Sequence, residues 1–318
     1  MPPDSQTKPR RDQAQYGLSP MQSGMLFQSL LSEGSTGRTG YDIEQIHVTL
    51  SESLAREPFE RAWTLFARRH PALSAAFRWE GLESAVQRPD PDARVPVVFL
   101  DWSGAGEAQR DAQRREFFER DRLLGFDLRR APLMRVTVFE LGPEKTEFVW
   151  TVHHILLDGR SFAPALLELF GVYEALARGA QPEWPPAGRP YGDYIDWFES
   201  RDWRSSLPFF KELLAGKHVP TALPLAEPAA RPLPRTGASH SEVIRQVDPS
   251  VAQSLRQFAS HTGAGMGAVI QTAFAFVLQR LTGDDDVLFG VTRSLRRSGL
   301  DGEAENMMGL FINTLPVR

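Results

Sequence analysis

The chain has 318 residues, 42% hydrophobic and 24% charged, so it carries enough apolar material for a real core. At ~100–200 residues per domain, that length holds two structural units or one large one. Its 36 Lys and Arg against 40 Asp and Glu leave a formal net charge of −4, with no concentrated basic surface for nucleic acid; the pairs Arg129-Arg130 and Arg296-Arg297 read as solvated surface. There is no cysteine, which excludes disulfides, thiolate nucleophiles and cysteine-ligated metals.

Residues 1–15 are polar and rich in Pro, Arg and Gln, with no apolar centre, so they read as a disordered leader and not as a secretory signal. No apolar run approaches the ~18 residues a membrane span needs. The expectation is a soluble cytoplasmic protein with no membrane partner. Ser19 is placed to cap a helix whose first turn accepts Pro20, and Met21, Met25, Leu26 and Leu30 share one face of it. Residues 34–40 end that helix. Residues 43–50 alternate as a strand, and Phe59, Trp63 and Phe66 mark an amphipathic helix to residue 69.

A strand at 95–100, a charged helix at 109–124, strands at 133–141 and 147–152, and a helix at 162–178 follow. Proline-rich stretches at 181–190 and 220–235 forbid helix interiors and central strands, so both are extended connectors, the second marking the subdomain boundary. Beyond it come a strand at 239–247, a helix opened by Asp248-Pro249, an apolar helix at 267–281, a turn at Asp284-Asp285-Asp286, and strands at 287–292 and 310–317. The alternation predicts a mixed α/β layer structure.

One constellation carries chemistry. A strand ends in His153-His154, and a short turn leads to Asp158-Gly159 at the head of a helix. Adjacent strand residues face opposite ways, so one histidine turns inward while the other can face a cleft. An imidazole titrating near ~6.5 is suited to accept or position a proton at neutral pH. Asp158 can hold the loop by pairing with a buried cation, and Gly159 permits a close substrate approach. Two readings compete: a metal site, although adjacent strand residues rarely converge on one ion and no third ligand is near, and two satisfied histidines in a plain turn.

The run His153-His154-Ile155-Leu156-Leu157-Asp158-Gly159-Arg160-Ser161 resembles the central motif of the condensation domains of nonribosomal peptide synthetases, within the chloramphenicol-acetyltransferase-like acyltransferases. Four more stretches are similar in the same order: 19–27 from Ser19-Pro20-Met21-Gln22, Arg69-His70-Pro71-Ala72-Leu73 with Phe77, 191–197 from Tyr191 to Trp197, and 308–318 from Met308-Gly309-Leu310. The resemblance covers about residue 17 to the end. It implies an α/β fold of two acetyltransferase-like αβ sandwich lobes in a V shape, the second incomplete. The lobes then run over 17–219 and 238–318, with a leader at 1–16 and a connector at 220–237.

The resemblance also implies roles. His154 is the catalytic histidine, His153 is mainly structural, and Gly159 lines a tunnel between the lobes. Asp158 pairs with an arginine, for which Arg69 matches the motif and Arg135 is the second candidate. Ser161, Asn313 and Trp197 are candidate cleft-lining residues, with packing the alternative for Trp197 and a satisfied strand-end amide for Asn313. The implied reaction joins a carrier-bound acyl or peptidyl thioester to a carrier-bound aminoacyl amine. It needs no metal and no covalently bound cofactor. The substrates ride on phosphopantetheine of upstream and downstream peptidyl carrier domains, with an adenylation domain in the same assembly line. Alternatives are an epimerisation domain, a coenzyme A-type acyltransferase, and a catalytically inactive carrier-docking module. Three features depart from the family pattern: Ser74 stands where a further Arg is common, the Gly-Arg pair after the strand reads Gly290-Val291-Thr292-Arg293-Ser294, and the final motifs are absent, which predicts a truncated domain.

Overall fold

The structure is a computed structural model and describes residues 15–35, 41–186, 188–217, 219, 221–223 and 243–318. Most of the expected leader, the turn at 36–40, the connector from 224 to 235 and the start of the strand expected at 239–247 lie outside the described residues.

Helix α1 (Pro20–Ser35) begins as its sequence dictates. Gln22 N donates to Ser19 Oγ (3.2 Å) while Ser19 N donates to Gln22 Oε1 (3.0 Å), a reciprocal capping box that satisfies two otherwise orphaned amides. Just before it, Tyr16 bridges to Gln87 through paired backbone hydrogen bonds, so described structure starts inside the segment expected as leader. Strand β1 (Ile43–Leu50), helix α2 (Arg56–Arg69) and the short strands β2 (Ala75–Arg78) and β3 (Val86–Pro89) follow. Next come β4 (Val97–Asp101), helix α3 (Glu107–Leu124), and the strands β5 (Met134–Gly142) and β6 (Lys145–His153), joined by a tight turn. Helix α4 (Gly159–Ala177) and helix α5 (Tyr191–Glu199) complete this run.

The main sheet has the order β1-β6-β5-β4, with β4 and β5 parallel and the other pairs antiparallel. Period-two alternation gives each strand two faces. Phe148, Trp150 and Val152 of β6 join Phe59, Trp63 and Phe66 of α2 and Leu169 of α4 in one core. Val149 packs on the other face with Phe117 of α3 and Phe139. The three α2 aromatics are 0% exposed, and each such burial is worth about 1.5–3 kcal/mol. β6 is thereby covered on both sides, which fixes where its last residues point.

The described residues divide into two compact units. The first runs to Arg201 and takes back Arg293–Asn313; the second holds Asp202–Thr292 and Thr314–Arg318. This division differs from boundaries drawn at the proline-rich connector. The physical reason is burial: Leu300, Ala304, Met307 and Phe311 pack with Tyr191, Tyr194 and Ile195 of α5. That packing draws a late segment into the first unit.

The second unit contains α6 (Leu207–Leu213), α7 (Pro249–His261) and α8 (Met266–Thr282). Asp248 caps α7 by accepting from Ser250 N (2.8 Å), and Lys217 pairs with Asp284 (2.8 Å) across the acidic turn. Strands β7 (Phe289–Ser294) and β8 (Ile312–Val317) pair with each other. Of the strand expected at 239–247, the described residues 243–247 form none; Val243 and Ile244 are each 77% exposed and have no neighbouring strand to pair with among the described residues. Ile270, Phe276 and Leu281 of α8 also stay exposed. Among the described residues no single helix is long and apolar enough to cross a membrane.

Candidate active site

The end of β6 sets two histidines in different surroundings. His153 is buried, its backbone N–H donates to Leu133 O (2.9 Å), and its Nδ1 accepts from Ile155 N (3.2 Å). Accepting at Nδ1 fixes the tautomer with the proton on Nε2. Burial, and then the neighbouring His154, push its pKa down to about 4, so His153 is neutral at pH 7.

His154 is anchored by its backbone, N to Asp42 O at 2.6 Å, while its side chain remains 20% exposed. Its Nε2 lies 4.0 Å from Glu44 Oε1. Its Nδ1 is buried and has no hydrogen-bond partner among the described residues. Asp42, at φ 53, turns the chain into β1, and burial raises the pKa of its carboxyl. An imidazole with a fixed backbone and an accessible edge is what a proton-handling group requires.

The loop between the histidines and α4 is tied down by hydrogen bonds. Leu156 N donates to His153 O (3.1 Å), Leu157 N to His154 O (3.3 Å) and Asp158 N to Gly309 O (3.1 Å). The Asp158 carboxylate is 1% exposed and so needs a counter-charge. Arg296 supplies it, with Nη2 at 2.8 Å from Oδ1 and Nε at 3.2 Å from Oδ2. Phe311 N also donates to Oδ2 (3.0 Å). The rest of the guanidinium is satisfied too: Nη1 reaches Met307 O (2.6 Å) and Nη2 reaches Ser161 Oγ (2.7 Å), with the Phe311 ring 4.3 Å away. Such a closed network costs desolvation and returns geometric definition. Gly309 is required here, because a Cβ at this position lies 2.3 Å from the Tyr191 ring. Asp158 is thus a structural anion with no face left for a substrate.

The family model described as Condensation domain matches residues 12–318. The chain belongs to the condensation-domain family. A linear gramicidin synthase protein of Brevibacillus parabrevis is 36% identical over 305 residues, covering 95% of this chain and 4% of that protein. Surfactin synthase subunit 3 of Bacillus subtilis (strain 168) is 31% identical, covering 97% of this chain and 24% of that protein. This condensation domain therefore spans a small fraction of the curated relatives it matches. Among solved structures, the first condensation domain of the CDA synthetase matches with a TM-score of 0.71 at 22% identity, covering 96% of this chain and 70% of that one. The X-domain in complex with OxyB from teicoplanin biosynthesis matches with a TM-score of 0.75 at 24% identity, covering 98% and 66%. These likenesses establish the mixed α/β fold.

Several expected assignments of the condensation domain change. Asp158 does not pair with Arg69 or Arg135. Arg69 lies at the end of α2, where Nε is 3.1 Å from Glu168 Oε1 of α4, its guanidinium sits over Trp184 (4.9 Å), and Nη2 donates to Pro185 O. Arg135 points to the α3 face of the sheet, and its Nε is 2.6 Å from Asp121 Oδ1. Arg296 is not a solvated surface residue; it is 1% exposed, and only its neighbour Arg297 faces solvent. Ser161 lines no cleft, since it is 1% exposed and serves the Asp158–Arg296 network. Trp197 stacks on Tyr194 (5.8 Å between centroids) beneath the Arg201 guanidinium, which is packing. Asn313 is half-buried on β8. Gly159 opens α4, and a Cβ added there meets no atom within 4 Å. Nothing internal requires that glycine.

Proposed function

We propose that this condensation domain forms an amide bond between a carrier-bound acyl or peptidyl thioester and a carrier-bound aminoacyl amine, with His154 managing the amine proton. One observation carries the reading: His154 alone in the motif offers a partly exposed imidazole, while His153 is buried and neutral and Asp158 is saturated by Arg296.

The amine nitrogen attacks the thioester carbonyl, a C–N bond forms, the C–S bond breaks, and the sulfur leaves as the free thiol of the donor carrier. The amine gives up one proton, and His154 is the group that accepts it or holds the amine for attack. Since a thioester is already activated, no nucleophile from the protein is required. Holding amine and thioester together supplies about 7–11 kcal/mol of the barrier as effective molarity. Proton management by one histidine adds on the order of 10²–10⁴-fold.

Gly159, with open space beside its Cα, fits a close approach of substrate near His154. The reading brings upstream and downstream peptidyl carrier domains with phosphopantetheine arms, an adenylation domain in the same assembly line, and a cytoplasmic setting.

The test uses donor and acceptor carriers loaded with defined substrates, with products resolved by mass and chirality. Amide formed by the wild type and not by His154→Ala supports the reading. An epimerised aminoacyl carrier with no amide points to the epimerisation alternative. Both thioesters intact despite carrier binding points to a docking module.

A further inference from the structure

The opening motif contains Gln22, whose capping of α1 uses only part of its amide. The side chain is 1% exposed and its hydrogen-bonding capacity is full. Oε1 accepts from Ser19 N (3.0 Å) and from Gln87 Nε2 (2.9 Å). Nε2 donates to Gln87 Oε1 (3.1 Å) and to Ile155 O (3.0 Å). A primary amide has two donors and two acceptor sites, so nothing is left over. Flipping it sets oxygen against both Gln87 Oε1 and Ile155 O, so the network admits one orientation.

Ile155 is the residue after His154. It is 0% exposed, and its N–H is already committed to His153 Nδ1. Its carbonyl is met by a side chain from an element 133 residues away. Leaving a buried carbonyl without a donor is costly, and the peptide can escape that cost by rotating toward another donor or water. The same peptide carries Leu156 N, which donates to His153 O (3.1 Å), so its rotation loosens the turn that carries His154. Gln87, equally buried, belongs to the same amide pair and also donates to Gly17 O (2.8 Å), yet among its described bonds none goes to the histidine loop.

We infer that Gln22 is a positioning residue for His154, acting through the hydrogen bond from its Nε2 to Ile155 O. The inference rests on the reading of His154 as the proton-handling group. It gives the opening motif a part in the chemistry as well as in starting a helix.

The test compares Gln22→Met with Gln87→Met in the full chain, at a temperature where both are fully folded by near-ultraviolet circular dichroism. Turnover is measured with saturating loaded carriers. Gln22→Met is expected to lower kcat by roughly ten- to a hundredfold with KM little changed, since about 1 Å of misplacement costs on that order. Gln87→Met, which breaks the same amide pair and spares the loop, is expected to keep kcat. Adding Gln22→Met to His154→Ala is expected to cost nothing further. The imidazole Cε1–H resonance of His154 is expected to move in Gln22→Met and to stay in Gln87→Met, a readout independent of turnover. Equal effects of the two variants on rate and resonance, or no effect of Gln22→Met, overturn the inference. If His154→Ala turns over like wild type, the parent reading fails, and the resonance comparison still decides this one. Should Gln22→Met not fold, Gln22→Asn keeps a neutral amide one methylene too short to span to Ile155 O, giving the same comparison.

Discussion

Two carboxylates of the first unit are solved in similar chemical ways and serve different ends. Asp121 on α3 accepts from Arg135 Nε (2.6 Å), Gln45 Nε2 (2.8 Å) and Thr151 Oγ1 (2.6 Å). Asp158 accepts from Arg296 Nη2 (2.8 Å) and Nε (3.2 Å) and from Phe311 N (3.0 Å). Both are buried, at 7% and 1% exposed. The first pairing spans 14 residues and ties a helix to the sheet behind it; the second spans 138 and ties the histidine loop to a late segment. The contrast teaches that a buried ion pair says little about function by itself. What it holds in place decides whether losing it reaches the chemistry.

The sharpest way to break the comparison is Arg296→Leu. It strands the Asp158 charge, and the expected loss is about 3–5 kcal/mol by urea denaturation, with amide formation per folded molecule also reduced. Next is the pH dependence of stability. The pKa of His153 is about 4 in the fold against an ordinary 6.5, so the unfolded chain binds more protons between those values. Stability is therefore full above pH 6.5 and falls as pH drops toward 4, by on the order of 3 kcal/mol. His153→Gln is expected to flatten that slope in denaturation curves taken across the window. Arg135→Leu comes third, at about 1–3 kcal/mol, with turnover per folded molecule preserved. If it slows amide formation as much as Arg296→Leu does, the distinction between the two sites collapses. The smallest effect on stability is expected from Gly159→Ala, where a methyl meets open space. A change within about 1 kcal/mol is expected, neutral or favourable, yet amide formation should slow because the methyl occupies the approach to His154.

The sequence made the frame and the histidine loop legible because both depend on local pattern. β1 has the bounds its alternation predicts, residues 43–50, and Ser19-Pro20 announces the start of α1. Strand parity predicts different surroundings for the two histidines; β6 ends at His153, which is buried, and His154 stands in the turn after it, partly open. The partner of Asp158 was not legible. Arg296 stands beside Arg297 in what reads as a solvated basic pair, two residues past β7 and beyond the stretch Gly290-Val291-Thr292-Arg293-Ser294 that departs from the family's Gly-Arg pattern. Only packing across 138 residues brings it to the carboxylate. Arg69 and Arg135 looked eligible because sequence does not show that α2 ends against Glu168 or that Arg135 points to the α3 face. Ser161 shares the motif with His154 but faces the other way, into the Arg296 network. Gln22 lay in plain view, and its second role needed the loop folded over it.

The central claim is that the His154 imidazole handles the amine proton, and a rapid-quench measurement of amide formation in a single turnover tests it most directly. With wild type and His154→Ala equally folded and equally loaded with donor and acceptor carriers, the variant is expected to be slower by about 10²–10⁴-fold. Equal single-turnover rates for the two proteins contradict the claim.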